Sequence, residues 1–239
     1  MGFAKIFSAQ PTLFGAHPIT IEADLAKGLH AFTVVGLADK AVEESRDRVS
    51  AAIKNSGWTS PKQRNQKITI ALAPADLKKS GPLFDLPIAL CYLLATGDIR
   101  FDTKGKLFVG ELALDGSVRT IRGALAIAQE ARRRGYSELY VPSANAEEAA
   151  LVSGITVFPV ASLREVVDHL AQSTPIAHRE DEEGAGIVRR SITPQEKTAI
   201  PTENLLKGGA FGDIRGQEVA KRGLMIAAAG GHNIAMWGP

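Results

Sequence analysis

The sequence holds a single cysteine, Cys91, in 239 residues. A lone thiol can close no disulfide within the chain and can build no Cys-rich metal site. Disulfide scaffolds and zinc-finger chemistry are therefore excluded, and a reducing, cytoplasmic setting is expected. Aromatics make up only 6% of the chain, which leaves the polar loops few candidates for base stacking. No apolar run reaches the roughly 18 residues of a membrane-spanning helix. Met1-Gly2-Phe3-Ala4-Lys5 also lacks the apolar core of a signal peptide, so no membrane partner is expected. Neither sign of charge dominates: 28 Lys and Arg face 26 Asp and Glu, a net +2. That balance is too even for whole-chain charge to mark a nucleic-acid binder. What is present, 45% hydrophobic and 23% charged residues, suits a folded chain with a sizeable core, as one large domain or two small ones. Charge is uneven along it: residues 1–110 hold 14 basic and 10 acidic residues, whereas residues 111–170 hold 6 and 8. An anionic partner is expected to meet the first half.

Alternation predicts three antiparallel strands at the front, around Lys5–Phe7, Ile19–Leu25 and Ala31–Val35. From Asp39, a natural N-cap, the period becomes helical through Ala41, Val42, Ser45, Val49, Ala52 and Ile53, with Gly57 as the stop. A strand follows at 67–73. After a loop rich in Pro, Lys and Gly comes a helix over 85–95, for which Asp85 reads as the N-cap and Asp76 as a turn former. The second half reads as strand 107–114, a two-residue turn at Asp115-Gly116, strand 117–121, helix 123–134, strand 138–141, helix 145–153, strand 155–158 and helix 161–171. Its last three strands alternate with helices and imply parallel pairing, so the fold class is α+β in front and α/β behind. Residues 173–204, with three prolines and the acidic run 180–183, read as a linker. Beyond them a helix is expected over 218–229 and a strand over 233–237, followed by Gly238-Pro239.

The five histidines (His17, His30, His169, His178 and His232) show no ligand spacing, so no metal site is expected. A strand followed by glycine is where a phosphate-binding loop begins, but only its first two positions, Gly238 and Pro239, are present. By itself that pair is more often a plain turn, which the local sequence favours. Basic residues gather in two polar loops, Lys62, Arg64 and Lys67 in one and Lys78 and Lys79 in the next, at opposite ends of the strand between them. Arg132, Arg133 and Arg134 close a helix, where cations meet the negative end of its dipole.

Three stretches carry a resemblance over nearly the whole chain: Val35-Gly36-Leu37-Ala38-Asp39-Lys40 running on to Val49, Leu72-Ala73-Pro74-Ala75-Asp76-Leu77-Lys78-Lys79-Ser80-Gly81-Pro82-Leu83-Phe84-Asp85, and Gly110-Glu111-Leu112-Ala113-Leu114-Asp115-Gly116. They resemble the YifB/ComM family, apart from Ala38, where that family usually has proline. Phe211-Gly212-Asp213-Ile214-Arg215-Gly216-Gln217, with the helix and strand behind it, resembles the opening of a AAA+ ATPase module of the magnesium-chelatase-like branch. The resemblance implies a Lon-protease-like domain (a mixed sheet with packed helices) over 1–172, a linker over 173–204, and the start of a AAA+ P-loop module over 205–239, cut within its Walker A loop. It further implies ATP and Mg²⁺ in the full-length protein and none in this piece, a hexameric ring, and DNA branch migration in natural transformation. In that family Ile214 and Gly216 would lie against the adenine, and the loop starting at Gly238 and Pro239 would hold the phosphates. Phosphate contacts of DNA would fall to Lys62, Arg64, Lys67, Lys78 and Lys79.

A Lon-type peptidase needs a serine hydroxyl and a lysine amine in contact. Lys79-Ser80-Gly81-Pro82 lines up with the stretch before Lon's serine and puts the nucleophile position on Leu83, while the lysine position falls near Leu125. Neither leucine can attack or accept a proton, so no catalytic residue and no proteolysis are expected. A magnesium-chelatase subunit is the alternative of a different class.

Overall fold

The structure, a computed structural model, describes residues 2–172, 191–199 and 214–237, which fall into two compact units, 1–198 and 199–239. The first unit opens with an antiparallel hairpin of β1 (Gly2–Thr12) and β2 (Gly15–Lys27). Every second residue of β2, from Ile19 through Ile21 and Ala23 to Leu25, is buried, as alternation requires of a sheet with one covered face. β3 (Ala31–Val35) and β4 (Gln66–Ala73) complete a four-stranded sheet of order β1-β2-β4-β3. Here the structure corrects the expectation of three antiparallel strands, because β3 lies parallel beside β4 and does not touch β2. The helical segment between them returns the chain to the starting end of the sheet, and a crossover of that kind forces parallel pairing.

That segment is two helices, α1 (Lys40–Glu43) and α2 (Ser45–Asn55), broken at Glu44. Asp39 caps the first, its Oδ1 accepting the Val42 amide at 2.9 Å. Behind the sheet runs α3 (Asp85–Thr96), with ten of its twelve residues buried. A helix apolar all round is a core helix, and α3 packs on β1 and β2 as well as α2. Cys91 lies on it, and burial pushes its thiol up to about 12, leaving it chemically quiet.

The second half carries β5 (Lys106–Phe108), β6 (Glu111–Leu112), β7 (Val118–Arg119), α4 (Ala124–Arg133), β8 (Glu138–Pro142), α5 (Ala146–Ala149), β9 (Thr156–Val160) and α6 (Leu163–Gln172). β5, β8 and β9 form a parallel sheet in that order, and Phe108, Tyr140 and Phe158 stack across it at centroid spacings of 4.6 and 4.8 Å. The single strand expected over 107–114 is split. Gly110 turns its amide to the Leu83 carbonyl (2.9 Å) and its carbonyl to the Leu86 amide (3.0 Å), so it pairs with the approach to α3. A side chain there would start 2.8 Å from Val118. The Asp115-Gly116 turn also differs from the expected two-residue form. The Gly116 amide bonds to the Ala113 carbonyl and only Gly116 takes a positive φ, +89°, which makes a three-residue loop closed by glycine. The helix expected over 145–153 shrinks to α5 after a 3₁₀ turn at Ser143–Asn145.

Of the expected linker, residues 173–190 and 200–204 lie outside the described residues, but 191–199 do not hang free. Gln195 and Thr198 donate their amides to Val157 (2.8 Å) and Ala150 (3.2 Å), the Ile192 amide reaches His169 Nδ1 at 3.1 Å, and Ile192 is buried. The first unit therefore extends to Thr198. In the second unit α7 (Glu218–Gly230) forms over the expected span. Residues 233–237, expected as a strand, have no regular secondary structure, since a strand exists only against a partner ladder and none is described there.

Candidate functional site

The loops that carry the family-like stretches come together at one end of the first sheet. Gly36 takes φ +113°, and a Cβ there would sit 2.2 Å from the Leu72 carbonyl oxygen. Glycine lets the chain pass β4 at that distance. The next residues bond to the loop after β4: the Lys79 amide donates to Leu37 O (3.1 Å), the Asp39 amide to Lys79 O (3.0 Å) and the Gly81 amide to Asp39 Oδ2 (3.3 Å). Gln10 of β1 closes the third side, donating to Lys78 O and accepting from the Ser80 amide, both at 3.1 Å. The result is a loop platform fixed by backbone hydrogen bonds and two bifunctional side chains. Gly36→Ala is expected to cost about 3 kcal/mol through strain and the clash with Leu72, measurable by urea unfolding.

Beneath the platform lies a charge that sequence reasoning placed elsewhere. Asp85 is no N-cap: it is fully buried as the first residue of α3. Its carboxylate accepts from the Ser45 hydroxyl, from Arg48 Nε at 2.7 Å and Nη2 at 3.1 Å, and from the Leu112 amide at 3.3 Å. Arg48 Nη2 also donates to Ala41 O at 2.9 Å. The Asp85–Arg48 pair thus ties α1, α2, α3 and β6 together. Burial pushes it above the ordinary aspartate value, against the pull of Arg48, Ser45 and the Leu112 amide. Ser45 and Arg48, one turn apart on the buried side of α2, were the available signal for it.

At the two positions aligned with a Ser-Lys dyad, Leu83 is buried and Leu125 half-buried. Ser80 is exposed, and no lysine amine hydrogen-bonds its hydroxyl among the described residues. Among the described residues no serine–lysine pair stands at these positions. Nor do three His, Cys, Asp or Glu side chains gather as a metal would require, among the described residues.

The five basic candidates separate. Lys62 pairs with Asp47 at 2.8 Å, and Arg64 grips both oxygens of Asp98 at 2.8 and 2.7 Å. Lys67 and Lys78 are exposed, at opposite ends of β4, an eight-residue strand that spans about 25 Å. Lys79 is fully buried and donates its amine to the Pro74 carbonyl, so it does not face a phosphate; burial holds its amine below the ordinary lysine value. The set forms no single patch. In the second unit Ile214 is exposed, Gly216 and Gln217 take φ +69° and +59°, and Gly238 and Pro239 lie outside the described residues. No helix among the described residues is long and apolar enough to cross a membrane.

Comparison with known proteins adds two family matches, "Subunit ChlI of Mg-chelatase" over residues 21–145 and "Magnesium chelatase, subunit ChlI" over residues 210–239. The chain is 40% identical over 240 residues to YifB of Salmonella typhimurium, covering 100% of this chain and 43% of that protein. To the competence protein ComM of Haemophilus influenzae it is 37% identical over 245 residues, covering 100% of this chain and 44% of that one. A Lon protease of Leptospira interrogans matches at 26% over 200 residues, 78% of this chain and 23% of its own. The chain therefore spans less than half the length of YifB and ComM.

Proposed function

Since the chain belongs to the YifB/ComM family, we propose that it is the N-terminal part of a AAA+ ATPase that processes DNA. The activity is branch migration during natural transformation, carried out in the cytoplasm by a hexameric ring. The observation that supports this most is the likeness to ComM along the whole chain, joined to a magnesium-chelatase match over residues 210–239, inside the stretch 205–239 read as the start of the nucleotide module. The described residues fit the base end of a nucleotide. Ile214 offers an exposed apolar face, Gly216 carries no side chain, and Gly216 and Gln217 lead into α7 in left-handed backbone. Ile214 and Gly216 would lie against the adenine, and the loop from Gly238 and Pro239 would take the phosphates. ATP with Mg²⁺ supplies the free energy of phosphoryl transfer when bound.

In this reading the first unit is a Lon-like domain without peptidase chemistry, used for assembly or DNA contact. Lys62, Lys67 and Lys78 are its outward phosphate candidates, with Arg64 reachable only by giving up Asp98. A magnesium-chelatase-type subunit remains the second reading, favoured by the wording of the two family matches. The Lon-type likeness of the front unit speaks for the motor.

The deciding experiment gives the full-length protein a branched DNA substrate with ATP, and separately a porphyrin. Strand exchange and DNA-stimulated ATP hydrolysis are expected; porphyrin binding without DNA binding would replace the motor by the chelatase reading. Casein incubated with the same protein and ATP should stay intact, and Ser80→Ala should change nothing, because Leu83 and Leu125 supply neither nucleophile nor base. Labelling of Ser80 by a fluorophosphonate would refute this.

A further inference from the structure

The β1–β2 hairpin turns through only two residues, Leu13 and Phe14, between Thr12 and Gly15. Tight hairpin turns favour Gly, Asn and Asp, and here two large apolar side chains stand almost wholly in water, 94% and 98% exposed. No other large apolar residue described in the first unit is as exposed. Side chains so exposed contribute nothing to the core, so folding does not account for them.

Their surroundings narrow the choice of partner. The tip borders an open depression of about 720 Å³ lined also by His17 of β2 and by Glu130, Arg133 and Arg134 at the end of α4. Glu130 is nearly buried and accepts from both arginines, from Arg133 at 2.7 Å through Nε and Nη2 and from Arg134 Nε at 2.9 Å. These bonds hold its carboxyl below the ordinary glutamate value, so it stays ionised and acts as a strut. A guanidinium carries five N–H donors. Arg134 spends one on Glu130, and both arginine side chains remain half or more exposed. The rim therefore carries one net positive charge, with spare guanidinium donors beside an unobstructed aromatic ring.

We propose that this tip is a contact for single-stranded nucleic acid, in which Phe14 stacks on a base and Arg133 and Arg134 meet the flanking phosphates. The proposal rests on the DNA-processing reading above and names where an unpaired strand would touch the first unit. A ring offers its face to any base, whereas a duplex keeps its bases stacked on each other, so the tip suits strands opened at a junction or end. A purely acidic partner surface would leave the ring unmatched, and a purely apolar one the guanidiniums.

The test irradiates the whole chain with a single-stranded oligonucleotide carrying 5-iododeoxyuridine and maps the adduct by mass spectrometry, alongside anisotropy titrations of Phe14→Ala and Phe14→Trp. An adduct at Phe14 is expected. Phe14→Ala should lose about 5- to 100-fold in single-strand affinity, as for one stacked base. Duplex affinity should change by less than about twofold, and Phe14→Trp should restore binding. The melting temperature should not move, because the ring is exposed in the free protein. Adducts confined to other residues with unchanged Phe14→Ala affinity would overturn the proposal and leave the DNA-processing reading standing. No DNA binding by the unaltered full-length protein would overturn both. A change of oligomeric state in Phe14→Ala, seen by light scattering, would assign the tip to a second copy of the chain and overturn the nucleic-acid contact.

Discussion

Replacing Asp85 with alanine is expected to destabilise the first unit by about 3–5 kcal/mol, because it strands the Arg48 guanidinium in the protein with its main partner gone. For a unit of this size that corresponds to a fall in melting temperature on the order of 10 °C. The Ser45 hydroxyl and the Leu112 amide lose their acceptor at the same time, and each unsatisfied buried donor adds to the cost. The pair as a whole need not be stabilising, since desolvating two ions offsets much of their attraction. Arg48→Met combined with Asp85→Leu should therefore recover most of the loss. The measurement is urea unfolding of Asp85→Ala and of the cycle formed by Arg48→Met, Asp85→Leu and their double variant. If the double variant is as unstable as the sum of the singles, the two groups are not coupled and the geometry described here is wrong.

How much of this could be read from the chain alone depends on how far apart the cooperating residues lie. Asp39 was legible as an N-cap because its partner, the Val42 amide, is three residues away. The strands β2 and β4 were legible because alternation of Ile19, Ile21 and Ala23 and of Ile68, Ile70 and Leu72 is itself the burial pattern. The direction of β3 was not, since alternation says which face is covered and nothing about which neighbour a strand pairs with. Asp85 was misplaced for a related reason. A carboxylate at the start of a helix is what both an N-cap and a buried ion pair look like, and the deciding partner, Arg48, is 37 residues away. The break at Gly110 was hidden because its cause, the bonds to Leu83 and Leu86, is a long-range contact. The two dyad positions needed only two local alignments, Lys79-Ser80-Gly81-Pro82 for Leu83 and the helix start after the Gly110-Glu111 strand and hairpin for Leu125. Hence the expectation of no peptidase chemistry could be argued from sequence, while the hydrogen-bonded platform around Leu83 could not.

Lys78 and Lys79 stand next to each other in a loop, where no period separates an inward from an outward side chain, and the sequence treats them alike. The structure makes opposite expectations for them. Lys78→Ala should change stability by no more than about 0.5 kcal/mol, as exposed substitutions do. Lys79→Ala should cost about 2–3 kcal/mol, because it removes a fully buried stem and the charged donor to the Pro74 carbonyl. The pH dependence supplies a second, independent readout. Burial lowers the Lys79 amine from the ordinary value of 10.5, opposed by the charge of Asp76. The folded protein therefore releases this proton before the unfolded chain does. Between the lowered value and 10.5 the unfolded chain binds more protons, so stability contributed by this group rises with pH across that window. Lys79→Met keeps most of the stem and cannot titrate. The margin of the unaltered protein over Lys79→Met should accordingly grow as pH climbs from 7 toward 10.5, which urea midpoints at fixed ionic strength would record. A margin that is flat or shrinks would mean that the amine is solvated, and Lys79 would rejoin Lys78 as an outward charge.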